Sequence, residues 1–328
     1  MTRTVAKYIS AGVLLTTLTH AQLIAQAGWG IGVIKGDIYL SDLDRGQVIK
    51  LDRNGKRRIL VDDIHCHNLA PAFDGSVYWE AVGTNRGGMG DTVAIWRLSP
   101  NDELDYLMPP TPTPTLGVWI SHDATGNSYS WHQEGERISQ ILKRTPDGKV
   151  IVLAGSTWGF ADGTKNNAKF SHVGNLAATT QGTIYLTDSG SLRRVTPDGM
   201  VSTLARDIAS HRTGGLPGDF GFFNRSQGIA VAIIDGEESV FIVDHYNQRL
   251  VRWTGRDGSR VLYDTSNWLS RLTDGGLGWF VRGVAVEGNE VYVLEAFNST
   301  RFLSSLIGTP KIRRIQPDGK VVTVATLR

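Results

Sequence analysis

The chain has 328 residues, with 34 Lys and Arg against 32 Asp and Glu, and a formal net charge of +2. Hydrophobic residues make up 41% of the chain and charged residues 20%, which is typical of an ordered protein and excludes an intrinsically disordered one. The 38 glycines indicate a chain with many turns.

The N-terminus has the pattern of a secretory signal peptide. Arg3 and Lys7 precede a short apolar stretch, Tyr8–Leu18, and Ala25–Ala27 has the small-x-small form of a cleavage site. Cleavage after Ala21 is an alternative. Polar residues interrupt the roughly 20 apolar residues that a membrane span needs, so we expect no stable membrane insertion after cleavage. The pattern predicts an exported protein, periplasmic or secreted.

Export leaves a mature chain of residues 28–328. The signal segment 1–27 carries Arg3, Lys7 and no acidic residue, so the formal charge falls from +2 to 0. A neutral chain has no overall field that attracts phosphates, which argues against nucleic acid as a partner. Cys66 is the single cysteine, so no intramolecular disulfide can form, and we expect its thiol to be buried.

A unit of about 45–60 residues recurs six times along the mature chain. The clearest copies cover residues 36–61, 182–205 and 289–325, and weaker copies begin near Gly75, Gly126 and Ser239. Each copy places an aromatic residue in a β-branched run, which indicates a strand. These aromatic residues are Tyr39, Tyr78, Tyr129, Tyr185, Phe241 and Tyr292.

Tight turns divide each unit into about four strands. Asn-Gly or Asp-Gly pairs suit the positive φ angles of a hairpin; they are Asn54-Gly55, Asp147-Gly148, Asp198-Gly199, Asp257-Gly258 and Asp318-Gly319. The sequence therefore predicts an all-β fold, a six-bladed β-propeller with four-stranded antiparallel blades. No spare strand remains at either terminus, so we expect the first and last blades to close the ring by face-to-face packing. The Pro/Thr-rich residues 109–115 are predicted to connect blades two and three.

The repeat resembles the NHL repeat. Residues 153–205 contain Leu-Ala-Gly, a Gly-Phe-Ala-Asp-Gly loop, Asn-Leu-Ala and Pro-Asp-Gly, and residues 214–263 are a second match. This resemblance implies a propeller in which the acid ending the second strand pairs with a nearby arginine. The implied pairs are Asp42–Arg45, Asp188–Arg193, Asp244–Arg249 and Glu295–Arg301. Blades two and three, with Glu80 and His132 near this position, are predicted to lack the pair.

A propeller binds small ligands at the mouth of its central channel, where the innermost strands begin. Aligning the six repeats predicts these positions to be Gly28, His67, Val118, Gly174, Gln227 and Arg282, followed by Trp29, Asn68, Trp119 and Asn175. We predict that His67, Arg282 and Gln227 polarise a carbonyl group and move a proton. Asn68, Trp119, Asn175 and Trp279 are the predicted ligand-binding residues, and Trp158 is a further aromatic residue near a blade entry.

His67 and His172 are candidate ligands of a divalent metal, zinc or calcium. The chain is distantly similar to two groups of propeller enzymes. Peptide-amidating lyases hold zinc with histidines at this ring position, which His67 matches in one blade. Gluconolactonase and paraoxonase-like lactonases hold calcium with oxygen ligands, for which Asn68 and Asn175 are candidates.

We therefore expect an exported propeller that binds a small molecule, sugar or peptide, or a protein partner. The alternative is a metal-dependent hydrolase or lyase with its site around His67.

Overall fold

The structure is a computed structural model that describes residues 30–42, 45–62, 66–82, 92–112, 121–206, 208, 228–245, 247–266, 278–298 and 310–327. The predicted signal segment 1–27 lies outside these residues, so export stays a prediction. In the described part of the chain, no helix is long and apolar enough to cross a membrane.

In these residues, twenty-four strands form six four-stranded antiparallel sheets, each built from four consecutive strands. Blade 1 contains β1 (Ile31–Ile34), β2 (Asp37–Asp42), β3 (Gln47–Leu51) and β4 (Arg57–Asp62). Blade 2 contains β5 (Cys66–Pro71), β6 (Val77–Val82), β7 (Thr92–Leu98) and β8 (Leu104–Pro112). Blade 3 contains β9 (Ser121–His122), β10 (Ser128–Glu134), β11 (Ile138–Arg144) and β12 (Val150–Ser156).

Blade 4 contains β13 (Val173–Ala178), β14 (Ile184–Asp188), β15 (Ser191–Val195) and β16 (Val201–Ala205). Blade 5 contains β17 (Ile229–Ile234), β18 (Glu237–Asp244), β19 (Arg249–Thr254) and β20 (Gly258–Asp264). Blade 6 contains β21 (Gly278–Glu287), β22 (Glu290–Asn298), β23 (Lys311–Ile315) and β24 (Val321–Thr326). The predicted six-bladed, all-β propeller is confirmed.

The repeated aromatic residues and the repeated turns occupy equivalent places in the blades. Each aromatic residue lies in the second strand of its blade and is at most 8% exposed. The turns between third and fourth strands have glycines at positive φ, as predicted: Gly55, Gly148, Gly199, Gly258 and Gly319. Apolar cores are shared by blades 1 and 2, 3 and 4, 4 and 5, 5 and 6, and 6 and 1.

The ring closes without exchange of a strand between the termini. Blade 1 consists of β1 to β4 and blade 6 consists of β21 to β24, and β1 lies beside β21. One apolar core joins the two blades, with Leu40 and Ile49 on one side and Leu294 and Ile312 on the other. A hydrogen bond from the Gly36 amide to Glu287 Oε2, at 2.8 Å, adds a polar contact. The predicted closure by face-to-face packing is confirmed.

The six innermost strands are β1, β5, β9, β13, β17 and β21, and consecutive ones are neighbours around the ring. They all begin at one face of the propeller, which we call the mouth face. Because adjacent strands are antiparallel, the turns between second and third strands lie on this face. The connections from each fourth strand to the next blade lie there too. The other two kinds of turn lie on the opposite face.

Acid–arginine pairs brace the turns on the mouth face. Three predicted pairs are present, with N–O distances of 2.9 Å for Asp42–Arg45, 2.7 Å for Asp188–Arg193 and 2.7 Å for Asp244–Arg249. Arg301 lies outside the described residues, so its pairing with Glu295 stays a prediction; Glu295 pairs with Arg313 at 3.2 Å.

The prediction that blade 3 lacks such a pair was wrong. β10 continues two residues beyond His132, and Glu134 pairs with Arg137 at 2.6 Å in an exposed position. In blade 2, the prediction rests on the side chain of Glu80, which lies outside the described part of the chain.

Blade 2 also corrects the prediction of a Pro/Thr connector. Residues 109–112 continue β8 instead of leaving the sheet, while residues 113–115 lie outside the described part. Proline is tolerated there because β8 is the outermost strand of its blade, where one edge needs no donor. Cys66 is 1% exposed in the core of the same blade, which confirms its predicted burial.

Candidate functional site

Three innermost strands are irregular at the predicted channel positions. The pairing register skips His67 and Asn68 in β5, Gly174 and Asn175 in β13, and Arg282 in β21. We call these irregularities the mouth bulges. A bulge redirects a side chain out of the regular alternation and is common at the rims of barrels and beside active sites. The mouth bulges lie in blades 2, 4 and 6, so they alternate around the ring.

The bulge in β21 carries a buried cation. Arg282 is 2% exposed, and its guanidinium carbon lies 5.6 Å from the centre of the Phe280 ring. Arginine remains charged in proteins, and burying a charge is costly unless the surroundings compensate it. The structure therefore places a buried guanidinium on this bulge, and a role for Arg282 in binding or catalysis stays a prediction.

His245 lies next to Arg282, in the turn between β18 and β19. Its ring is 4.7 Å from that of Phe280, and its Nδ1 is 3.4 Å from the Val281 carbonyl oxygen. Burial lowers the pKa of His245 well below its usual 6.5, and the nearby charge of Arg282 lowers it further. The imidazole is therefore neutral at pH 7.

The bulge in β13 holds Asn175 in a fixed orientation. Its side-chain Oδ1 accepts a hydrogen bond from the Leu176 amide at 2.8 Å, and its own amide donates to Thr187 Oγ1 at 3.3 Å. The residue is 4% exposed. Among the described residues, the Nδ2 group of Asn175 has no hydrogen-bond partner. It is a fixed donor at the mouth of the channel.

The candidate metal ligands are not tested by the structure. His67 and Asn68 lie in β5, but their side chains are outside the described part of the chain. His172 is half-buried on the mouth face, where its amide donates to Asp188 Oδ1 at 2.8 Å. Within the described residues, no three acidic, His or Cys side chains form a group that could hold a metal ion. A metal shared by His67 and His172 stays a prediction.

The remaining predicted residues fall in different places. Gln227 and Trp119 lie outside the described residues. Trp279 is half-buried at the start of β21, and Lys311 Nζ lies 4.5 Å from the centre of its ring. The Trp279 carbonyl oxygen accepts a hydrogen bond from Thr265 Oγ1 at 2.8 Å. The indole of Trp279 therefore lies beside Lys311 of its own blade, while its backbone is bonded to the segment that follows blade 5.

His245 is the residue that the sequence reasoning missed. Only the starts of innermost strands were aligned, whereas His245 belongs to a turn between second and third strands. The sequence feature that could have indicated His245 is its position directly after Asp244, the acid that ends the second strand of blade 5. That position places it on the mouth face in any blade of this kind.

No protein-family model and no curated protein matches the sequence. Solved structures do match. A streptogramin B lyase aligns over 92% of this chain and 84% of its own, with a TM-score of 0.52 and 16% identity. A luciferin-regenerating enzyme aligns over 92% and 96%, with a TM-score of 0.52 and 14% identity. A putative gluconolactonase aligns over 83% and 86%, with a TM-score of 0.50 and 10% identity.

At these identities the similarity shows the fold alone, and the NHL resemblance stays a prediction. The chain is similar in fold to propellers that include a lyase and a lactonase-like protein.

Proposed function

We propose that the chain is an exported propeller that binds a small carboxylate-bearing ligand at the mouth of its channel. The observation that carries this proposal is Arg282, a guanidinium that is 2% exposed on a bulge of an innermost strand. Its planar set of donors matches the two oxygens of a carboxylate. Export rests on the signal-like segment 1–27.

Arg282 carries the positive charge that a carboxylate needs. His245 beside it is uncharged, because burial depresses its pKa. Asn175, on the bulge of another blade, adds a neutral donor and presents no carboxylate. A ligand that enters the channel mouth would therefore meet donors on two sides and would lose little hydrogen bonding on leaving water.

Paired probes test the charge requirement. Ligand-observed NMR on chain 28–328 would compare succinate and benzoate with succinamide and benzamide, which have similar shapes and no charge. We expect binding of a carboxylate and at least about tenfold weaker binding of its amide. Arg282→Met should abolish that preference. Arg252→Met is the matched control, since Arg252 is a half-buried arginine of β19 that bonds Ser239 Oγ at 2.8 Å.

Two results would contradict the proposal. One is carboxylate affinity that survives Arg282→Met in a variant that melts cooperatively. The other is equal affinity for the amides, which would show that the guanidinium does not contribute to recognition.

A second candidate is a metal-dependent hydrolase or lyase, with zinc or calcium near His67. The supporting observation is the bulge of β5 at His67 and Asn68, which is equivalent to that at Arg282. Metal analysis of the chain, purified without chelator or affinity histidines, would be compared with His67→Ala. About one transition metal per chain that is lost in the variant would support it. Calcium unaffected by the variant would point to oxygen ligands such as Asn68 and Asn175, and metal-free protein would reject it.

A further inference from the structure

Trp158 is an exposed aromatic residue in the connection from β12 to β13, on the mouth face. Its side chain is 39% exposed. The other two aromatic residues of this connection serve the fold. Phe170 is fully buried, and both Phe170 and Phe160 lie against the guanidinium of Arg193, at 4.9 and 4.4 Å.

The backbone around Trp158 is held in place. Its amide donates to the Glu136 carbonyl of blade 3 at 3.0 Å, and the next amide, of Gly159, donates to the Phe170 carbonyl at 3.1 Å. A short bridge pairs Ala161 with Lys169 further along the connection. The indole is thus presented on a preformed loop between two blades, which lowers the entropy cost of binding through it.

A half-buried imidazole stands at right angles to this indole. The ring centres of Trp158 and His172 are 5.7 Å apart and their planes meet at 87°. The backbone of His172 is fixed on both sides, because its amide donates to Asp188 and its carbonyl accepts from the Ser189 amide at 3.1 Å. The apolar face of the Trp158 indole and the polar imidazole ring of His172 therefore lie side by side at right angles, on backbone segments that are both hydrogen-bonded in place.

We propose that Trp158 and His172 form a saccharide-binding subsite at the rim of the channel. A pyranose ring has an apolar face of C–H groups and an edge of hydroxyl groups. The indole fits the first, and the imidazole nitrogens can hydrogen-bond the second. A purely aromatic ligand could not hydrogen-bond to the imidazole nitrogens of His172.

The position of the subsite connects it to the channel mouth. His172 lies three residues before Asn175, directly before β13 begins. The substrate class rests on the proposed function. A saccharide that binds at Trp158 and also supplies the carboxylate expected at Arg282 is a uronic-acid-type oligosaccharide.

Isothermal titration calorimetry on chain 28–328 would use xylotetraose as a neutral probe and tetragalacturonate as an acidic one. We expect tetragalacturonate to bind more tightly. Trp158→Ala should weaken both by at least about tenfold, because an exposed tryptophan is a typical energetic anchor. Trp158→Tyr should retain most of the affinity. Phe73→Ala, which removes a 55% exposed aromatic residue from the opposite face, should change neither.

The outcomes separate the two proposals. The subsite is rejected if both saccharides bind more weakly than about 1 mM, or if Trp158→Ala binds them normally, even when simple carboxylates bind through Arg282. If Trp158→Ala loses both saccharides but Arg282→Met retains tetragalacturonate at full affinity, the subsite stands and the carboxylate site is rejected.

Discussion

A buried histidine at the junction of blades 2 and 3 makes the stability of the fold depend on pH. His122 is 4% exposed, its ring centre lies 4.0 Å from that of Tyr78, and its Nδ1 is 3.2 Å from Ser128 Oγ. Among the described residues, its Nε2 has no hydrogen-bond partner. Burial lowers the pKa of His122 from 6.5 to about 4, against the opposing effect of the Asp74 and Asp123 carboxylates.

The sign and size of the effect follow from the two pKa values. The unfolded chain takes up a proton near pH 6.5 and the folded chain only near pH 4, so protons favour unfolding between these values. The resulting loss in the free energy of unfolding is close to zero above pH 7. It reaches about 2 kcal/mol at pH 5 and about 3 kcal/mol below pH 4.

Urea denaturation of chain 28–328 at pH 7.5 and pH 5 would measure this loss. His122→Gln removes the titrating group, so lowering the pH should improve the stability of the variant relative to the parent by about 2 kcal/mol. The buried His245 is present in both proteins, and its contribution cancels in this difference. Ser128→Ala keeps the imidazole and should keep the pH dependence of the parent. A parent–variant difference that stays constant within about 0.5 kcal/mol would refute the reasoning.

Three further substitutions test the packing. Arg193→Met leaves the fully buried Asp188 carboxylate without its cation, so we expect a loss of about 3–5 kcal/mol in the free energy of unfolding, measured by urea titration. Gly155→Ala places a methyl group 2.4 Å from the Ser139 carbonyl oxygen at a φ of +104°; a fall of about 3 kcal/mol is expected, and an unchanged Tm would contradict it. Leu294→Ala opens a cavity in the core that closes the ring, with an expected cost of about 2–5 kcal/mol; calorimetry would show whether blades 1 and 6 then separate before the rest unfolds.

The sequence by itself was sufficient for the architecture. The aromatic residue of each second strand and the Asp-Gly turns recur at a regular spacing, and both are local signals, since a turn of positive φ is decided by two or three adjacent residues. The acid–arginine pairs Asp188–Arg193 and Asp244–Arg249 were implied by the resemblance to NHL repeats, and each spans one turn. The closure of the ring by packing of blade 1 against blade 6 was also predictable, because the repeats left no strand to exchange between the termini.

Only the tertiary structure decided the chemistry of the mouth face. His245 and Arg282 belong to different blades, and nothing in the local sequence of either indicates that they share the ring of Phe280. The pairing of Glu295 with Arg313 was equally hidden, because it joins two strands across a long connection. The mouth bulges were hidden too, because they show only in the register in which each innermost strand pairs with its partner. Repeats encode contacts that every blade makes, whereas the candidate site consists of contacts that occur once.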